Sequence, residues 1–133
     1  MATRYSTTLK KTAPLSLSKE GRVFAHAAEG VLGKTYDLSL VFVGNTLSKR
    51  LNSTYREKHK STNVLAFPLS KTSGEIYINI PLARKEATKF ETTALVHIRF
   101  LFVHGLLHLK GYDHGPAMER LEQQYMKKYF SKV

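Results

Sequence analysis

The sequence predicts an α+β domain: a mixed four-stranded sheet packed with helices, with a central apolar helix that carries three histidines. Three observations lead there. Short β-branched and apolar runs alternate with stretches of helical periodicity, in the order strand, helix, strand, helix, two strands, three helices. The run 94–109 is almost wholly apolar, and a helix that is apolar all round must be central. At 133 residues the chain has the size of one domain, 1–133, with a single core.

The elements follow in order. A first strand is expected from Thr3 to about Leu9. The segment Met1–Lys19 carries Arg4, Lys10, Lys11 and Lys19, no acid, and many Ser and Thr, so it reads equally as a transit-like leader. Pro14 and Ser18 announce a helix in which Leu17, Phe24, Ala27, Ala28, Val31 and Leu32 recur at helical spacing, and Gly33 stops it. Leu38–Val43 is a mostly buried strand. Asn45 or Thr46 caps a second helix running to about Arg56, with Leu47 and Leu51 toward the core. A third strand, Val64–Phe67, is ended by Pro68. The polar turn Ser70–Gly74 leads into a fourth strand, Glu75–Ile80, antiparallel to the third. Pro81 suits the first turn of a helix to Phe90. The histidine helix spans Thr92–Lys110, and Pro116 opens the last amphipathic helix, to Tyr129.

Charge and cysteine content narrow the setting. Lys and Arg number 21 against 10 Asp and Glu, a formal charge of +11, which favours polyanionic partners and nucleic acid first. The chain has no cysteine, which excludes disulfides and thiolate metal sites and suits a reducing cytoplasm. The apolar run 94–109 includes Arg99 and three histidines and is slightly short for a membrane span, so no membrane role is expected.

The chemistry concentrates in His104-Gly-Leu-Leu-His108-Leu-Lys-Gly111-Tyr-Asp-His114. His104 and His108 are i and i+4, so on a helix both imidazoles share one face. Gly111 can take the left-handed conformation that ends the helix, which lets His114 swing back to the other two. Three converging imidazoles and an open fourth position are the donor set of a catalytic zinc, one per chain. The ligands alone leave nickel, copper and iron open. The pattern overlays the metzincin H-E-x-x-H-x-x-G-x-x-H, but Gly105 stands where a peptidase keeps its glutamate base, which argues against a protease. Gly105 leaves room either for a bulky substrate or for close helix packing. Asp113 reads as an orienting acceptor for an imidazole or as a turn residue, and Tyr112 as a base-stacking ring or a cover on the core edge. His97, seven residues before His104, is expected to pack behind the site rather than ligate.

This stretch resembles the H-G-x-L-H-L-x-G-Y-D-H signature of the YbeY family of rRNA-maturation endoribonucleases. A second block agrees: Leu51-Asn52, Tyr55-Arg56 and Thr62-Asn63-Val64-Leu65-Ala66-Phe67-Pro68 are similar to the family's L-N-x-x-Y-R and T-D-V-L-S-F-P, and Gly74-Glu75-Ile76 to its G-D-I. Asn63 and Glu75 depart from the family's aspartates. The resemblance implies a metal-dependent endoribonuclease that cuts single-stranded RNA in maturation of the small-subunit rRNA 3′ end and in ribosome quality control. It implies the small ribosomal subunit or its proteins as partners.

Arg56, by itself a helix-end arginine, matches the family's Y-R motif, which implies a place in the cleft beside the metal and a catalytic role with His104, His108 and His114. Its planar fork suits a phosphate and can stabilise charge developing on it. Lys49, Arg50, Lys58 and Lys60 crowd the same segment and read as an RNA track, with a solvated face as the bland alternative. No aromatic platform for single strands stands out. Two other functions compete: a non-catalytic RNA-binding assembly factor with a structural metal, which would need a fourth protein ligand, and a metal hydrolase of another class.

Overall fold

The computed structural model describes residues 3–5, 19–56 and 63–131, without the side chains of 3–5, 19, 20 and 54–56. Among the described residues nine elements follow one another: β1 (Thr3–Tyr5), α1 (Lys19–Leu32), β2 (Asp37–Val43), α2 (Asn45–Arg56), β3 (Val64–Ser70), β4 (Ser73–Asn79), α3 (Ile80–Lys89), α4 (Ala94–Lys110) and α5 (Pro116–Phe130). The class is α+β. The body of the sheet is three seven-residue strands: β2 runs parallel to β4, and β3 antiparallel to it. The three-residue β1 lies parallel along β2, giving the order β1-β2-β4-β3. The four expected strands are therefore three long ones and a short edge piece. Residues 6–9, expected to lengthen that piece, fall outside the described residues.

One boundary differs for a physical reason. Pro68 does not end β3; the strand runs through it to Ser70, with Pro68 opposite Gly74. β3 is the edge strand, so a proline nitrogen that faces outward gives up no ladder hydrogen bond. A register shift between Pro68 and Ser70 absorbs the irregularity, and the turn shrinks to Lys71-Thr72.

α4 is the hub. It packs on β3 and β4 of the sheet and on α1, α3 and α5 around it. Ile98, Leu101, Phe102, Val103, Leu106 and Leu107 are all buried, each worth about 1.5–3 kcal/mol for a large apolar side chain. Phe102 stacks on Phe24 of α1 at 4.8 Å, and Phe130 of α5 meets Phe24 edge-on at 5.7 Å. Arg99, the one full charge within this apolar run, is accommodated with its guanidinium 5.4 Å from the Phe130 ring centre. Among the described residues no single helix is long and apolar enough to cross a membrane.

Gly105 has a packing role. A Cβ there would come within 3.1–3.3 Å of three atoms of Ile76, which is wholly buried in β4. The glycine lets α4 lie close on the sheet, and position 105 faces the core.

Candidate metal centre

α4 builds two thirds of the site. Thr93 starts the helix by accepting the Val96 N–H at 3.1 Å. Gly111, at φ 107°, ends it in a Schellman turn: its N–H bonds the His108 carbonyl, and the Tyr112 N–H bonds the Leu107 carbonyl, both at 3.0 Å. His104 and His108 share one face, and the chain beyond the turn brings His114 back to them. The ring centres lie 4.6, 4.8 and 5.1 Å apart, and one nitrogen from each ring falls within 4.8 Å of the others. The three line a cleft of about 580 Å³ together with Asn63, Phe100 and Asp113.

The hydrogen bonds decide which nitrogen each ring offers. His104 Nδ1 meets a carboxylate oxygen of Glu122 on α5, and a carboxylate can only accept. His108 Nδ1 lies 3.0 Å from the Tyr112 carbonyl, likewise only an acceptor. Both rings thus carry their proton on Nδ1, and both present the Nε2 lone pair. Those two Nε2 atoms are 3.1 Å apart. Two lone pairs facing each other at that distance repel unless a cation joins them. A tetrahedral zinc with bonds of about 2.0–2.1 Å would hold two nitrogens about 3.3 Å apart. The donors therefore fit a divalent metal in type, tautomer and spacing.

The electrostatics agree. Burial lowers the His108 pKa, the neighbouring His104 and His114 lower it further, and the Tyr112 carbonyl and Asp113 oppose them only in part. A depressed pKa keeps the imidazole neutral, the form that ligates.

Glu122 was not found from the sequence. It is buried, with a side chain 7% exposed, and it does for His104 what Asp113 was expected to do. Asp113 is exposed on the cleft wall. A signal existed: Glu122 lies i+4 from Met118, both on the buried stripe of α5, where an acid needs a partner. Tyr112 packs on the core, as one of its two readings had it. His97 stands apart from the triad, 2.9 Å from Glu86 of α3, and Glu86 also accepts from the Asn63 amide at 3.2 Å. Arg56 is the last residue of α2, its side chain outside the described set, as are Lys58 and Lys60. Lys49 and Arg50 are exposed on α2.

Comparison with known proteins identifies the pattern. Residues 7–132 match the family model for endoribonuclease YbeY. An endoribonuclease YbeY of Polynucleobacter asymbioticus is 39% identical over 129 residues, covering 90% of this chain and 79% of the relative. Another, from Nautilia profundicola, is 41% identical over 99 residues, 69% of this chain and 71% of the relative. The solution structure of a Thermotoga maritima protein superposes with a TM-score of 0.65 over 98% of this chain and 90% of that one, at 23% identity, a likeness of fold. The family model spans both motif blocks, the relatives carry the same name, and the chain belongs to the endoribonuclease YbeY family.

Proposed function

We propose that the protein is a zinc-dependent endoribonuclease that cleaves single-stranded RNA, in maturation of the small-subunit rRNA 3′ end and in ribosome quality control, in the cytoplasm and beside the small ribosomal subunit. The observation that carries the reading is the pair of Nε2 lone pairs on His104 and His108, converged to 3.1 Å at an open cleft with His114 alongside. His104, His108 and His114 would hold one zinc per chain. Bound there, the metal supplies Lewis acidity for a phosphodiester centre.

The chain's own residues do the rest. Glu122 and the Tyr112 carbonyl keep the Nδ1 protons in place, so the rings cannot rotate or change tautomer. Arg56 offers its fork to the scissile phosphate and gains value as negative charge builds there. The nucleophile is either water or the RNA's own 2′-hydroxyl. Products ending in a 2′,3′-cyclic phosphate identify the second.

The test combines metal analysis with single-turnover cleavage of a short RNA. The parent should hold about one zinc per chain, and the His104→Ala/His108→Ala double variant none. Arg56→Ala should keep its zinc and lose about 10²–10³ in rate, and Arg56→Lys should recover only part. Stoichiometric zinc in the double variant sinks the metal site. A parental rate in Arg56→Ala removes that residue from catalysis.

A further inference from the structure

Phe90 follows α3 and is 61% exposed. A solitary exposed phenylalanine needs no explanation, but this one begins a row. Its ring centre lies 5.7 Å from that of His97, His97 lies 6.1 Å from Phe100, and Phe100 lies 6.4 Å from His104. His97, Phe100 and His104 recur at i, i+3 and i+7 on one face of α4, and Phe100 lines the cleft. The turn between α3 and α4 adds Phe90 at the outer end. The row is held in place: Glu86 bonds His97 Nε2 at 2.9 Å, and Phe100 lies nearly parallel to His97 at 18°. The helix that Phe90 follows also carries exposed cations, Arg84, Lys85 and Lys89, with Glu91 the acid next to the ring in sequence.

We infer that Phe90 and Phe100 form a stacking platform for the unpaired bases of an RNA strand whose scissile phosphate lies at the imidazoles. The inference rests on the RNA-cleaving reading above. Bases stack on aromatic faces regardless of their identity, while cations beside the rings follow the phosphates. Phe100 stands one helical turn before His104, so a base on it sets the adjoining phosphate at the triad, and Phe90 takes a base further along. A duplex keeps its bases stacked on one another and cannot offer them to these rings. The platform therefore makes the cleft select single strands, which neither the histidines nor the surface lysines can do.

The chain has no tryptophan, so Phe90→Trp installs a single indole reporter. Its emission should be quenched by a short oligoadenylate and not by an abasic strand of equal length. Phe90→Ala should weaken oligoadenylate binding by roughly 5- to 150-fold, the range for one stacked base, and leave the abasic strand's affinity unchanged. Phe90→Leu should behave like Phe90→Ala, because it restores apolar bulk without a π face. Parental oligoadenylate affinity in Phe90→Ala, or full recovery in Phe90→Leu, overturns the platform and leaves RNA cleavage standing. A parent that binds neither strand removes the RNA reading and the platform with it. Loss of self-association in Phe90→Ala with RNA affinity unchanged assigns the ring to a protein contact, which also overturns the platform.

Discussion

The His104 ring has one exchangeable proton and two nitrogens, and Glu122 decides which nitrogen keeps it. Removing that acceptor frees the ring to turn or to change tautomer. Glu122→Ala should weaken zinc binding by about 10- to 100-fold, and Glu122→Gln by less, since an amide oxygen still accepts the Nδ1 proton. Competition against a chelator reads both, and equal affinities in parent and Glu122→Ala would take Glu122 out of the site. His108 makes a second prediction. Its folded pKa lies below the ordinary ~6.5, chiefly through burial and then through the two other imidazoles. As pH falls below ~6.5 the unfolded chain takes up a proton that the folded chain refuses, so metal-free stability should fall from there down to the folded pKa. Above ~6.5 this contribution is constant. Melting temperatures across pH should show the decline, and His108→Gln should reduce its slope. An identical slope in that variant would assign the decline to other groups.

Two helix ends use the same device with different residues. α4 closes on Gly111, which takes φ 107° without a Cβ to clash. α3 closes on Glu91, at φ 56°, with the same pair of bonds: Glu91 N–H to the Thr88 carbonyl and Thr92 N–H to the Ala87 carbonyl. A side chain in that region is strained. Glu91→Gly should therefore stabilise the protein by about 0.5–1 kcal/mol, and Gly111→Ala should destabilise it by about 1–2 kcal/mol. Gly111→Ala should also weaken zinc binding, because the turn aims the Tyr112 carbonyl at His108. Urea titrations measure the two stabilities. A Glu91→Gly variant less stable than the parent would mean that the glutamate side chain contributes more than the strain costs. At this scale the sequence was legible wherever backbone rules are local: Gly111, Pro81 and Pro116 marked their helix ends, while the histidine helix, expected from Thr92, starts after the Thr93 cap. It misled at Pro68, because whether a proline ends a strand depends on which edge of the sheet the strand occupies.

The whole molecule carries +11, and an RNA strand arriving at the cleft meets that field first. Removing one cation that pairs with a phosphate should lower the salt slope of single-strand binding by about 0.7. Neutralising Lys49, Arg50, Lys58 and Lys60 together should flatten log affinity against log salt by up to about 3. An unchanged slope would make the four a solvated face, with the binding charge elsewhere, the cations of α3 being the next to neutralise.

By itself the sequence determined the parts of the site that one helix and one turn can encode. The i, i+4 spacing of His104 and His108, Gly111 at the helix end and His114 beyond it fix a three-imidazole cluster through backbone geometry alone. The i+3 and i+4 spacing of His97, Phe100 and His104 on one helix face is local in the same way. Tertiary structure alone decided the partners that arrive from other elements. Glu122 reaches His104 from 18 residues away because α5 lies across α4, and in the sequence it was one acid among several on an amphipathic helix. Phe90 joins the ring row because the turn from α3 sets it there. Gly105 faces Ile76 because the sheet covers that side of α4. Contacts within a turn of chain follow from local dihedrals, whereas contacts between elements follow from how the full set of apolar faces packs, and no single segment contains that information.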